Sequence, residues 1–201
     1  MGPACSARET ADPPRAALLA PCGPMPDEPQ WAAPLESIES PDGESAAVFD
    51  IEAFLRTGQS MPPQLGALCR LWEAKRAGNA MPSRRDFMIE ELGPWLGHLM
   101  LVDAIDGGRD FAYRVFGTWI ADFLGYDLTG KPLSTLASPR QRAVSEEYNG
   151  VVATRRPHYV VGSSFLARRS TVVARAILPL SYTGCVVDQL LIGFYQSGAR
   201  A

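Results

Sequence analysis

The stretch Leu99-Met100-Leu101-Val102-Asp103-Ala104-Ile105-Asp106-Gly107-Gly108-Arg109-Asp110-Phe111-Ala112-Tyr113-Arg114-Val115-Phe116 decides the fold. Leu99–Ile105 is a short, nearly continuous apolar run, which reads as a buried strand. Asp106-Gly107-Gly108-Arg109 is a turn, because glycine accepts positive φ at no steric cost. Beyond it Phe111, Tyr113 and Val115 alternate with Ala112 and Arg114, so a second strand returns beside the first as a hairpin.

C-terminal to the hairpin, Thr118 can cap a short helix carrying Trp119, Ile120, Phe123 and Leu124, with Gly125 ending it. Ser138-Pro139 opens a longer helix whose inner stripe is Ala143, Tyr148, Val151 and Val152. The rest is strand-like: His158–Leu166, Thr171–Leu180 and Gln189–Gln196. N-terminal to the hairpin, Pro62-Pro63 starts a helix with Leu65, Leu68, Cys69 and Trp72 at helical spacing, Lys75 and Arg76 at its negative end and Gly78 as its stop. Ser83 and Asp86 stand at capping-box spacing. Two strands, a helical middle and three strands define an α+β fold, with one five-stranded antiparallel sheet carrying helices on one face and a helix before it.

Charge divides the chain in two. Residues 1–60 hold 3 Lys/Arg, 10 Asp/Glu and nine of the 17 prolines; residues 61–201 hold 16 Lys/Arg and 12 Asp/Glu. Proline removes backbone donors, and the first segment has few branched apolar side chains to offset ordering entropy. Residues 1–60 therefore read as a disordered acidic tail and 61–201 as the folded domain. Val48, Ile51, Phe54 and Leu55 allow one short helix at 46–56 in that tail.

The same arithmetic excludes several functions. A net charge of −3 lacks the basic excess of a nucleic-acid binder. No apolar run approaches the roughly 20 residues of a membrane span. The apolar run Ala16–Ala20 is too short for a signal core. The four cysteines are sparse and lack metal-ligand spacing, which argues against a disulfide framework or zinc site and for a cytoplasmic setting with reduced thiols. Glu146 and Glu147 are adjacent on a helix and diverge by about 100°, so they make no acid–base pair. Gly125-x-x-x-x-Gly130-Lys131 imitates a phosphate loop, but it follows a helix, and Pro132 stands where the magnesium-binding hydroxyl belongs. No catalytic constellation is found, and the chain reads as a non-enzyme.

The order of elements resembles the PAS sensory domain. Phe123-Leu124-Gly125-Tyr126-Asp127-Leu128-Thr129-Gly130-Lys131-Pro132-Leu133 is similar to the hydrophobic–Gly–Tyr … Gly–Lys string of many PAS domains. Leu71-Trp72, Met81-Pro82-Ser83-Arg84 and Phe111–Thr118 resemble a divergent bacterial subgroup of short stand-alone PAS proteins. The resemblance covers about 64–196 and implies a sensory or regulatory module that binds a small ligand, a protein partner or both, in signalling. The alternative is a ligand-free interaction adaptor or dimerisation platform; an enzyme ranks last.

The pocket candidates under this reading are Tyr113, Trp119, Phe123, Tyr148, Val152 and Phe165, the same residue types that fill a core. The candidates for a partner or homodimer contact are Leu65, Leu68 and Trp72. The cofactor is unknown. Haem is disfavoured because the long helix carries no histidine, and His98 and His158 read as hydrogen-bonded structural residues. A flavin adduct is disfavoured because its Asn-Cys-Arg-Phe-Leu string is absent. With no length left for an output module, the sensor would act through another protein. Arg155-Arg156 and Arg168-Arg169 bracket one strand, as a solvated edge or an anionic docking surface.

Overall fold

The computed structural model describes residues 35–39, 45–51, 54, 61–136, 138–163 and 172–197. In chain order the elements are β1 (Leu35–Glu39), β2 (Ser45–Asp50), α1 (Pro63–Arg76), α2 (Ile89–Leu92), β3 (Leu99–Ile105), β4 (Asp110–Phe116), α3 (Thr118–Leu124), α4 (Ser138–Thr154), β5 (His158–Ser163), β6 (Val172–Leu180) and β7 (Gln189–Gln196). The strands form one antiparallel sheet in the order β1-β2-β5-β6-β7-β3-β4.

The five expected strands are all present, in the order β5-β6-β7-β3-β4. The sheet is wider than expected. Residues 45–50, expected within a disordered tail or a short helix at 46–56, form β2, paired with β5 from Ala46↔Gly162 to Asp50↔His158. β1 adds a further strand outside it. The apolar spacing of Val48, Ile51 and Phe54 fits a helix in isolation, but β5 is otherwise an edge strand whose free amides and carbonyls pair with β2. Phe54 then packs on Tyr159, ring centroids 4.4 Å apart, and on Phe49 at 5.4 Å. The remainder of residues 1–34 lies outside the described residues.

Side chains alternate across the sheet. Arg175, Ile177, Ile192, Phe194, Met100, Phe111 and Tyr113 share the face that meets α4, as the pairs Arg175↔Phe194, Ile177↔Ile192 and Met100↔Ile192 require. The opposite face carries Ala174, Ala176, Leu178 and Gly193, and α1 lies on it. Glycine is required at 193, where a Cβ would come within 2.7 Å of Leu65 and 2.8 Å of Leu68. Leu65, Leu68 and Trp72 are buried against this face, and the Trp72 indole N–H donates to Pro179 O at 2.8 Å. Burying each leucine stabilises by about 1.5–3 kcal/mol. The N-terminal helix thus takes the face opposite α4, beside α2, whose Glu91 pairs with Lys75 at 2.7 Å.

Two local readings change. Val115, expected to point inward with Phe111 and Tyr113, is exposed, because a bulge between Leu101 and Val102 turns the strand and brings Phe116 inward instead. Thr118 is the first residue of α3 rather than its cap, and Gly117 holds the cap position, where a Cβ would lie 2.3 Å from Gly97 O. The Ser83 capping box forms as expected, with Ser83 N donating to Asp86 Oδ2 at 2.7 Å.

Candidate functional site

The face toward α4 is mostly apolar, with His158 and Asp50 at one edge and a polar group at its centre. There β4, α4 and β6 bring four polar side chains together: Tyr113, Glu147, Tyr148 and Arg175. Glu147 falls on the inner stripe of α4 beside Ala143, Val144 and Val151. Arg175 stands in the inward register of β6, between Val173 and Ile177. Its Nη2 donates to Glu147 Oε1 at 2.9 Å, with both side chains almost wholly buried. The Tyr113 and Tyr148 hydroxyls lie 3.3 Å apart, also buried.

Burial dominates the electrostatics of this centre. It pushes the Tyr113 and Tyr148 phenols above their ordinary range, and the neighbouring Glu147 charge pushes both in the same direction. Burial also raises the Glu147 carboxyl, while the Arg175 charge and hydrogen bond pull it back; the net shift is upward. Glu147 Oε2 accepts no hydrogen bond among the described residues. A buried carboxylate oxygen in that state costs about 1–3 kcal/mol.

The pocket candidates divide between two places. Tyr113 and Tyr148 belong to the polar centre. Trp119 and Phe123 stack on each other, centroids 5.0 Å apart, and both are only partly buried. They continue a row through His98, which lies 4.3 Å from Trp119 and 4.2 Å from Tyr195. Phe194 touches this row from the inner face, 5.9 Å from Phe123. Val152 is half-buried beside Val151 on α4. Phe165 lies outside the described residues. The partner candidates Leu65, Leu68 and Trp72 are packed in cis on their own sheet.

Both histidines are engaged in the structure. His98 Nδ1 meets Phe194 O at 3.1 Å, and His158 Nε2 meets Thr154 Oγ1 at 3.0 Å. Burial pushes the His158 imidazole down to about 4, against a smaller upward pull from Asp50. Burial pushes the Cys69 thiol up to about 12, which keeps it protonated and unreactive. Against the expectation of unbridged thiols, Cys185 is disulfide-bonded. Among the described residues no group of His, Cys, Asp and Glu is placed to hold a metal ion, and no helix is long and apolar enough to cross a membrane.

Sequence reasoning missed Glu147 and Arg175 as a pair. The signals were present: a carboxylate on the apolar stripe of α4, and one charge in the otherwise apolar run Val173–Leu180. What joins them is the register of β6 under α4, which no local pattern encodes.

Within the seven-stranded sheet, the five strands β5-β6-β7-β3-β4, with a helical crossover on one face and polar groups beneath it, form a sensory-module architecture. A family model described as the PAS domain matches residues 61–190, more than half of the chain. The chain belongs to the PAS domain family, a class of sensory and regulatory modules. No curated protein and no solved structure matches it.

Proposed function

We propose that the chain is a signalling module of bacterial type that takes up a small polar ligand at the centre formed by Tyr113, Tyr148, Glu147 and Arg175, and passes the change to a protein partner. The buried Glu147 carboxylate, with one oxygen unused among the described residues, carries this reading. A ligand amine or hydroxyl would satisfy that oxygen, and the two phenols supply further donors and acceptors. Val152 is proposed as an apolar wall of this centre, Trp119 and Phe123 as a separate apolar site in the row with His98, and Phe165 as a further candidate on the sequence pattern alone.

Ligand uptake here requires movement. Phe111, Tyr113, Ile120 and Phe194 are fully buried, so α3 or α4 must shift for a ligand to fit. A ligand that favours the shifted state would change what the outer surface offers a partner. No catalytic step is proposed. A cytoplasmic setting is proposed on the sparse cysteine usage of the sequence alone, and the Cys185 disulfide argues against it.

The same close packing favours a second reading, an adaptor that carries no ligand and serves as a platform for a partner or a second copy. Native mass spectrometry of the full chain, followed by a metabolite screen read as a shift in melting temperature, separates the two. A bound small molecule that is lost in the folded variant Glu147→Gln supports ligand sensing. A bare chain that responds to no metabolite while still capturing a specific partner overturns it in favour of the adaptor.

A further inference from the structure

The hairpin β1–β2 lies before the family match at 61–190 and covers the edge of β5. α4, the helix that carries Glu147, reaches this hairpin by two routes. It approaches β1 directly. It reaches β2 through His158, whose Nε2 meets Thr154 Oγ1 at 3.0 Å and which stands opposite Asp50 in the β2–β5 register. The imidazole is seated on Gly150, where a Cβ would lie 3.3 Å from His158 Cε1. Thr154 Oγ1 donates to Gly150 O at 2.9 Å, so one turn of α4 holds the ring.

The sheet adds a second link. Arg175, Val160 and Val48 stand directly opposite one another across β6, β5 and β2. Residues opposite in register share a face, so the arginine that binds Glu147 lies in one row with the buried valines that seat β2. Just past the end of β2, Ile51 N donates to Pro157 O at 3.2 Å.

With the hairpin lifted, β5 becomes an edge strand. His158-Tyr159-Val160-Val161-Gly162-Ser163 contains no Lys, Arg, Asp, Glu or Pro, the residues that guard exposed edges against pairing. Lifting also bares Tyr159, on which Phe54 packs at 4.4 Å. An uncharged strand can pair antiparallel with the same strand of a second copy about a two-fold axis, which satisfies the backbone of both.

We propose that β1–β2 is a strap released by movement of α4, and that the β5 edge it uncovers is an interaction surface for β5 of a second copy. The release rests on the proposed ligand uptake at Glu147, which requires a helix to shift, and it identifies that helix as α4. The hairpin, seated or lifted, is the two-state element that the polar centre biases.

The test uses the full chain and no ligand, so its outcome is independent of whether a ligand is found. Hydrogen exchange is read at the β2 and β6 amides, and self-association by sedimentation velocity. Glu147→Gln removes the charge that fixes α4 to Arg175. Gly150→Ala favours the helix itself and pushes on His158. Each is expected to speed β2 exchange about tenfold, with β6 changing less, and to produce a concentration-dependent dimer. Gly193→Ala, which strains the opposite face, should speed β6 exchange and leave β2 unchanged. Val161→Lys added to Glu147→Gln should abolish the dimer. β2 exchange unmoved by either variant, or moved as much by Gly193→Ala, overturns the proposal. So does faster exchange in a chain that stays monomeric, or a dimer that persists with Val161→Lys.

Discussion

Arg175 and Glu147 meet 2.9 Å apart inside the core, at side-chain exposures of 3% and 0%. Moving two charges out of water costs several kcal/mol each, and their attraction offsets this only where both are satisfied. Removing one partner is therefore the severe change. Arg175→Met is expected to destabilise by about 3–5 kcal/mol in urea unfolding, because it leaves the Glu147 charge buried alone. Arg175→Met combined with Glu147→Leu should recover most of that loss. Strictly additive single and double variants would show that the two groups do not act as a pair.

His158 sets a pH dependence whose sign follows from burial. Its folded-state pKa is lowered to about 4 from 6.5, so between these values the unfolded chain binds more protons than the folded one. Stability is complete above about pH 6.5 and falls as pH drops toward 4, by at most about 3 kcal/mol. Asp50 and Thr154 are the polar groups that face this ring. Unfolding free energies measured from pH 4 to pH 7 should show this slope, and His158→Gln should flatten it. A slope unchanged in that variant would assign the effect to other groups.

The sequence discloses what is periodic and conceals what is paired across distance. β3 and β4 were legible through the Asp106–Arg109 turn and alternating apolar residues, α1 through Leu65, Leu68 and Trp72, and β7 to its ends. β2 was not, since Val48, Ile51 and Phe54 follow helical spacing and only the open edge of β5 selects the strand. Val115 was misplaced because a bulge leaves no mark in a short alternating run. Within the candidate site, Tyr113 and Tyr148 were named from their types and positions. The ion pair that joins them needed the register of β6 beneath α4. Trp119 and Phe123 were named too, and the structure stacks them with His98 in a separate row.

Gly193 tests how α1 is seated. A Cβ there would come within 3 Å of Leu65 and Leu68 side-chain carbons. Gly193→Ala should cost about 1–3 kcal/mol, as overpacking does. Gly193→Val should displace α1, exposing the Trp72 indole now bonded to Pro179 O. Tryptophan emission would shift to the red in the folded protein. An unshifted spectrum with full stability would place α1 elsewhere.

Residues 61–190 match the PAS domain family while β1 and β2 lie before them, so the domain boundary can be tested by truncation. A chain starting at Met61 retains α1, the five strands β3–β7 and the ion pair, and is expected to fold cooperatively. It loses the buried Val48, Ile51 and Phe54, each worth about 1.5–3 kcal/mol at full burial, and it bares the edge of β5. His158–Ser163 then offers unpaired backbone groups beside an exposed Tyr159, a surface prone to pairing with a second copy. Light scattering should report a concentration-dependent dimer or larger species for the truncated chain, with less self-association in the full chain at equal concentration. Adding a charged residue at Val161, which lies on the Tyr159 face of that strand, should suppress the association if the edge is responsible. An equally monomeric truncated chain would show that β2 contributes stability to β5 without guarding it.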